Sequence, residues 1–171
     1  MATAGRADHS ASVALHWAAD AAAMVDVLVA ALHDVSPGVR TVVLLRDGEA
    51  LRPVHVSGGE EVPADAVILL EGSLGTRLRT GAPVSVADYR GDAIRALGGH
   101  RVVPCVGRTR VCAAVVSDAP EKDKAYWSLL RALAPHVGLA YERLMAPAVF
   151  RPSPPGAASR TRLFELSLGF G

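Results

Sequence analysis

Apolar residues recur at helical spacing near the start of the chain. Residues 10–34 predict one helix, because apolar positions fall three and four apart, the period of one helical face. These positions are Trp17, Ala21, Met24, Leu28, Leu32 and Val35. Ser36-Pro37-Gly38 follows and predicts the end of the helix, since proline cannot continue the hydrogen-bond ladder and glycine tolerates a cap conformation.

A second helical stripe extends from Asp118 to about Ala146. Asp118 and Glu121 have the spacing of a capping box, which predicts that the helix begins there. The stripe consists of Tyr126, Leu129, Leu130, Leu133, Val137, Ala140, Tyr141 and Leu144. Pro135 lies inside it and has no amide hydrogen to donate, so we expect a kink or a break there, and Gly138 weakens the same turn.

The middle of the chain favours extended structure. Residues 39–46 and 51–57 form two β-rich runs around Asp47-Gly48, a strong hairpin signal. Residues 101–116 predict a second hairpin whose strands are apolar on both faces, which is typical of strands covered on both sides. A two-residue loop would pair residue 112 with 103, and a four-residue loop would pair it with 105. Either register places Cys105 and Cys112 on one side of the sheet, together with Ala114 and Val116.

Shorter elements lie between the two hairpins. Residues 67–70 are an apolar run that periodicity cannot classify as helix or strand. Residues 73–79 predict a short helix, 84–89 a strand and 92–97 another one or two helical turns. Residues 147–160 are rich in Pro, Ser, Gly and Ala and predict a linker before an apolar end. The pattern alone therefore predicts a mixed α/β domain with helical ends.

Composition and charge exclude several classes of protein. With 171 residues, half of them hydrophobic, the chain can bury one core, and its formal net charge of +1 argues against nucleic-acid or membrane binding. Two cysteines favour a reducing setting, and no signal peptide or membrane span is visible, so we expect a cytoplasmic protein. Histidines, cysteines and acidic residues show no metal-binding spacing.

The order of elements, together with local phrases, resembles a GAF domain. The phrases are the segment from Leu70 to Val84 with its "TG-x-P-V" end, Asp88-Tyr89-Arg90, the hairpin over 103–115, and the closing helix over 129–137. The resemblance covers about 12–146, with 1–11 as a flexible N-terminus and 147–171 as linker and apolar tail. It implies an α+β sandwich: a GAF/PAS-like antiparallel sheet with terminal helices on one face and a ligand pocket on the other.

The resemblance also implies functions and limits them. GAF domains as a family sense small molecules such as cyclic nucleotides, tetrapyrroles or amino acids, or have lost their ligand, and many dimerise through their terminal helices. A chain without asparagine cannot supply the family's cyclic-nucleotide signature, and Cys112 stands where the family usually has glycine. No thiol lies where the family's methionine-sulfoxide reductases need one, and neither cysteine has a bilin-type neighbourhood. The sequence identifies no cofactor.

Candidate ligand-binding residues are Tyr89, Arg95, His100, Cys105 and Cys112, in the region that would border a GAF pocket. From Arg77 to Arg110 there are seven arginines and two aspartates, which suggests an anionic ligand or an acidic partner surface; the alternative is a solvated arginine-rich face. The cysteines are either a redox or soft-metal pair or simply two small buried hydrophobes.

Three hypotheses of function follow. The first is a non-catalytic GAF-like sensor that binds a small molecule, forms a homodimer through its terminal helices and signals in trans through protein contacts, with the tail 149–171 as a docking peptide for a protein partner. The second is a dimerising scaffold without a ligand, which an apolar, side-chain-filled pocket would favour. The third is a thiol enzyme, which predicts one exposed cysteine with a lowered pKa.

Overall fold

The computed structural model describes residues 2–89 and 91–147, and these form a six-stranded antiparallel sheet with the three long helices on one face and two short helices on the other. The helices are α1 (Ala2–His16), α2 (Ala21–Val35), α3 (Ser73–Leu78), α4 (Asp92–Ala96) and α5 (Lys124–Met145). The strands are β1 (Thr41–Asp47), β2 (Ala50–Ser57), β3 (Ile68–Leu69), β4 (Val84–Ser85), β5 (Arg101–Val106) and β6 (Val111–Ser117). The sheet order is β3-β2-β1-β6-β5-β4, which confirms the mixed α/β fold and both hairpins.

Each face of the sheet has its own buried cluster. The helix-face cluster joins α1, α2 and α5 to alternate strand residues, among them Leu15, Met24, Leu28, Val43, Val103, Val115, Leu130, Leu133 and Val137. The opposite-face cluster contains Val42, Leu44, Leu51, Ile68, Leu70, Leu74, Leu78, Val102, Ala114 and Val116. Every residue of β6 is buried, so the second hairpin is an interior ladder covered on both sides.

The N-terminal helical region is divided, contrary to the single helix predicted over 10–34. Helix α1 ends at His16, and α2 begins after Asp20, whose side chain accepts the amide hydrogen of Ala23. The apolar period runs through this break, which is why periodicity missed it, although Asp20 is a typical N-cap residue. The stretch 1–11, expected to be flexible, forms the first part of α1 from Ala2 onwards.

Helix α5 begins later than the capping box predicted. Asp123 is its N-cap and accepts the amide hydrogen of Tyr126, whereas Asp118 accepts that of Arg40 and Glu121 pairs with Arg101. Of the kink or break expected at Pro135, the break is absent, because α5 runs without interruption from Lys124 to Met145. Position 135 is exposed, and the carbonyl left without a donor belongs to exposed Arg131.

A β-bulge corrects the predicted register of the second hairpin. Val106 pairs with Val111 across a four-residue loop, but Cys105 pairs with Ala113, which leaves Cys112 as the extra residue. Both cysteines lie on one side of the sheet, as predicted, and that side faces the helices, whereas Ala114 and Val116, predicted on the same side, face the opposite one. One inserted residue reverses the alternation after it, and strands apolar on both faces give no signal for it.

The outer strands are short, and prolines lie where they end. Strand β3 pairs only with residues 50 and 51 of β2, and β4 only with residues 101 and 102 of β5. Pro53 and Pro104 lie beyond these pairings, on lengths of β2 and β5 that have no outer partner among the described strands. Proline is tolerated there because an edge position needs no amide hydrogen on its outer side.

Other predicted elements are confirmed with small changes of bounds. The short helices over 73–79 and 92–97 correspond to α3 and α4, and the unclassified run 67–70 contains β3. The strand predicted over 84–89 is only the two-residue β4, followed by a 3₁₀ turn over Val86–Asp88. None of the described helices is long and apolar enough to cross a membrane. The tail beyond 147 lies outside the described residues.

Candidate functional site

An open cleft of about 760 Å³ lies on the face of the sheet that the long helices leave uncovered. One wall consists of residues 67–69 around β3 and residues 72–74 and 77 of α3. The other wall consists of Asp88 and Tyr89 after the 3₁₀ turn and Gly91, Ala93 and Ile94 around α4. Short elements from two separate segments therefore form the cleft.

The position of α3 follows from its sequence. Leu74, Gly75 and Leu78 are buried one turn apart, whereas Ser73 and Arg77 are exposed. A Cβ on Gly75 would lie 2.3 Å from the carbonyl oxygen of Leu70, so only glycine allows this close approach. Packing of this face onto the opposite-face cluster leaves Ser73 and Arg77 to line the cleft.

Three polar side chains of the cleft have no hydrogen-bond or ion-pair partner among the described residues. The Arg77 guanidinium, the Asp88 carboxylate and the Tyr89 hydroxyl make no hydrogen bond or ion pair with any residue that the structure describes, whereas the tyrosine ring packs against the opposite-face cluster. By contrast, the Arg79 guanidinium donates to the Leu70 carbonyl (3.0 Å) and that of Arg101 to Glu121 (3.0 Å). A free guanidinium beside an apolar wall can bind a carboxylate or phosphate bidentately.

The sheet surface next to the cleft is filled by side chains. Val42, Leu44, Leu51, Val102 and Val116 are fully buried. The cleft is therefore open at its rim, between the two walls, and does not extend as a cavity over the centre of the sheet. A ligand there would contact α3, the 3₁₀ turn and α4 rather than β6.

The structure does not bring the five predicted site residues together. Tyr89 lines the cleft, and Arg95 is exposed on α4 but does not line it. His100 lies in a separate depression of about 360 Å³ with Arg101 and Trp127. The Arg101 guanidinium stacks 5.2 Å from the Trp127 ring centre and forms an ion pair with Glu121. The charges of Arg101 and Glu121 are therefore already paired with each other in this second depression.

The two cysteines lie on the other face of the sheet, within the helix-face cluster, and are separated from the cleft by the sheet itself. Burial raises the pKa of Cys105 to about 12, with a smaller contribution from Cys112. Burial also raises the pKa of Cys112. These are small buried thiols without the exposure and the lowered pKa that the thiol-enzyme hypothesis requires. Among the described residues, no group of three His, Cys, Asp or Glu could hold a metal.

Some residues of the cleft are not among those predicted from the sequence. Arg77 was considered only as one of many arginines, and Ser73, Asp88 and Ile94 were not proposed. The amphipathic spacing of Leu74 and Leu78 on α3 could have identified Arg77, because the polar Thr76 and Arg77 lie off the apolar stripe that these leucines form. No local signal shows that α4 lies opposite α3, since that depends on the connections between the strands.

Comparisons with known proteins identify the fold. No protein-family model matches the chain, and no curated protein matches it. Solved structures do match. The GAF domain of an Acinetobacter phosphoenolpyruvate-protein phosphotransferase is 14% identical (TM-score 0.58), with 83% of this chain and 94% of that chain covered. Residues 122 to 287 of a methyl-accepting chemotaxis protein are 21% identical (TM-score 0.58), with 81% and 98% covered.

A further match is a GAF domain/HD domain protein from Geobacter sulfurreducens, 20% identical with a TM-score of 0.53 over 70% of this chain and 90% of that chain. At these identities the likeness is one of fold. The chain has a GAF-like fold, as the sequence resemblance predicted, with the terminal helices on one face of the antiparallel sheet.

Proposed function

We propose that this chain is a non-catalytic regulatory domain that binds a small anionic molecule in the cleft and signals in trans through protein contacts. The observation that carries the proposal is Arg77, a cation without a partner in the described part of the chain, on the wall of an open cleft. Leu69 on the same wall is 62% exposed, so a ligand would also cover apolar surface.

Asp88 limits the charge of the ligand that we propose. Its carboxylate lines the same cleft as Arg77, so a polyanion would gain one attraction and meet one repulsion. A molecule with a single carboxylate or phosphate group, an apolar part and a hydrogen-bond donor fits these walls better. The Tyr89 hydroxyl can donate to or accept from such a ligand.

Calorimetric titration with small carboxylates and phosphate monoesters, each beside its neutral analogue, tests this proposal. We expect at least one anion to bind, and Arg77→Ala to weaken binding by about 10- to 100-fold, the value of a lost charge-assisted hydrogen bond. Arg95→Ala removes an exposed arginine outside the cleft and is the matched control, with affinity within about twofold. Equal losses in both variants would contradict a site at Arg77.

The ligand-free scaffold is the second candidate, and one observation favours it. The sheet surface beside the cleft is filled by fully buried apolar side chains, as expected for a domain that has lost its pocket. Native mass spectrometry of freshly purified protein separates the two candidates, because a retained small molecule supports the sensor. An empty protein that binds none of the anions supports the scaffold.

The homodimer through the terminal helices stays a prediction. Val13, Trp17, Leu139 and Met145 expose between 42% and 52% of their surface on α1, on α5 and just after α1. Helix α1 packs against α2 and α5, and α5 packs against β5 and β6. Such a patch is favourable to bury against a second copy. Light scattering at tens of micromolar should give twice the monomer mass, and a monomer would remove this part of the proposal. Cytoplasmic location and a partner for the tail 149–171 also stay predictions.

A further inference from the structure

Arg40, just before β1, makes an unusual set of contacts. Its Nη1 donates to the carbonyl oxygens of Gly58 (2.8 Å) and Glu60 (2.7 Å), and its Nε lies 3.5 Å from the carbonyl oxygen of Leu97. Within the described residues it has no acidic partner for its guanidinium. One cation is thus held by backbone carbonyls from two segments that are far apart in sequence.

The glycines around Arg40 fit the guanidinium closely. Gly58, Gly59 and Gly98 have positive φ angles of 72°, 78° and 69°. A Cβ on Gly59 would lie 2.5 Å from Nη1, and a Cβ on Gly98 would lie 2.9 Å from Nε. Side chains are therefore excluded from both sides of the guanidinium, by backbone conformation as well as by space.

The two segments lead into the two walls of the cleft. Residues 58–60 follow β2 and begin the loop that reaches Val67 and Ile68, on the first wall. Leu97 directly follows α4, which supplies Ala93 and Ile94 to the second wall. The segments that lead into the two walls are thus both hydrogen-bonded, outside the cleft, to the Arg40 side chain.

The backbone of Arg40 connects to the helical layer. Its amide donates to Asp118 Oδ1 (2.8 Å), and the amide of Asp118 donates to the carbonyl oxygen of Arg40 (3.3 Å). Asp118 begins the connection from β6 to α5. At the end of that connection, Asp123 caps α5 and accepts the hydroxyl hydrogen of Ser36, which follows α2.

We infer that Arg40 is a positioning residue that couples the two walls of the cleft to each other and to the start of α5. Hydrogen bonds run from the cleft walls through the guanidinium to the Arg40 backbone and from there to Asp118, and the chain after Asp118 leads directly to the Asp123 cap of α5. This link deepens the proposed function and rests on it, because it gives a route by which a ligand between the walls changes the helical layer. Coupling between sites requires such a shared element.

Hydrogen exchange of the ligand-free protein tests the link without any ligand, so its failure is distinct from a failure to bind anions. Arg40→Gln should speed amide exchange in residues 58–70 and in residues 92–99 together, by at least roughly tenfold, because charge-assisted hydrogen bonds to both segments are lost. Arg46→Gln is the matched control: Arg46 lies on β1 and donates to the carbonyls of Gly48 and Val111, but not to either wall. Acceleration of only one segment, or the same pattern in the control, would overturn the inference.

A double-mutant cycle separates coupling from mere structural support. Trp127 reports on the start of α5, since its Nε1 donates to the carbonyl oxygen of Pro120 (2.9 Å), and Trp17→Phe makes it the only tryptophan. We expect Gly98→Ala to shift the Trp127 emission more in the presence of Arg40 than in the Arg40→Gln protein, because the clash with the guanidinium is lost there and only the strain of the positive φ angle remains. An equal shift in both backgrounds would show that the helical layer responds by another route.

If Arg40→Gln does not fold, Gly59→Ala provides the second variant. It retains Arg40 but displaces Nη1, so exchange in residues 92–99, on the other wall, should rise. Unchanged exchange in 92–99 would overturn the inference.

Discussion

The two faces of the sheet are covered by different kinds of structure. On one face lie α1, α2 and α5, of 15, 15 and 22 residues, whose apolar stripes meet the strands in one continuous buried cluster. On the other face the covering elements are α3, the 3₁₀ turn and α4, which are three to six residues long and lie next to the two-residue outer strands β3 and β4. Both faces bury a core, but the open cleft with unpartnered charges is on the second.

The difference shows how stability and binding can be separated in a small domain. A long helix covers a strip of sheet without gaps, because its period repeats the same apolar face over several turns. Short elements are joined by loops, which do not repeat one apolar face, so gaps remain where the elements meet. Polar side chains that line such a gap can bind a ligand. The helical face therefore provides the rigid support on which the cleft is built.

The largest expected effect is a core truncation on the helical face. Leu130→Ala removes a fully buried side chain and should lower the free energy of unfolding by roughly 3 kcal/mol, from lost burial and the remaining cavity. Leu69→Ala on the cleft wall is the control, since that side chain is 62% exposed, and should cost about 0.5 kcal/mol or less. Urea unfolding measures both, and equal losses would mean that the cleft is closed in solution.

A smaller effect is expected where α5 touches the second hairpin. A Cβ on Gly138 would lie 2.3 Å from the carbonyl oxygen of Val106 and 2.8 Å from the amide nitrogen of Gly107. The gain in helix propensity is outweighed by this clash with backbone, so Gly138→Ala should lose roughly 2 kcal/mol. Gly72→Ala, beside the cleft, meets only one atom at 3.5 Å and should lose less than about 1 kcal/mol. Thermal unfolding of the two variants compares the faces directly.

The smallest effect concerns the pH dependence of the helical face. The pKa of Cys105 is raised from 9.0 to about 12 in the folded protein. Below both values the thiol is neutral in the folded and in the unfolded protein, so its ionisation does not lower the free energy of unfolding there. Between these values only the unfolded chain loses the proton, so stability should fall by up to about 1.4 kcal/mol per pH unit. Urea titrations at about pH 8 and about pH 10 measure the slope. Cys105→Ala should reduce it, and an unchanged slope would mean that another group is responsible.

Sequence alone predicted the parts of the fold that local chemistry determines. Asp47-Gly48 located the first hairpin, and the apolar strands at 101–116 placed the second at the centre. The bulge at Cys112 and the break before Asp20 were not predictable from periodicity, because apolar residues continue through both. Asp118 resembled a cap in sequence but binds the Arg40 amide, a tertiary contact that competes with the local one.

The sequence predicted the kind of site better than it predicted which residues line it. Tyr89, one of the predicted ligand-binding residues, lines the cleft, and the arginine-rich stretch contains Arg77. His100 and the cysteines were assigned by their nearness in sequence to the second hairpin. The side of the sheet that each residue faces depends on the bulge and on where β4 ends. Those features are set by packing across the sheet, beyond the range of any local motif.

Pro53 and Pro104 have a consequence for encounters between molecules. The exposed border of a sheet normally offers a regular row of amide hydrogens, to which a strand of a neighbouring molecule can attach and start a fibril. Each proline interrupts that row on the length of strand that the two-residue outer strands leave open. At Pro53 the neighbouring Val54 also bulges outward, which spoils the straight border further. The edges of the sheet are thus poorly suited to pairing between crowded copies of this protein.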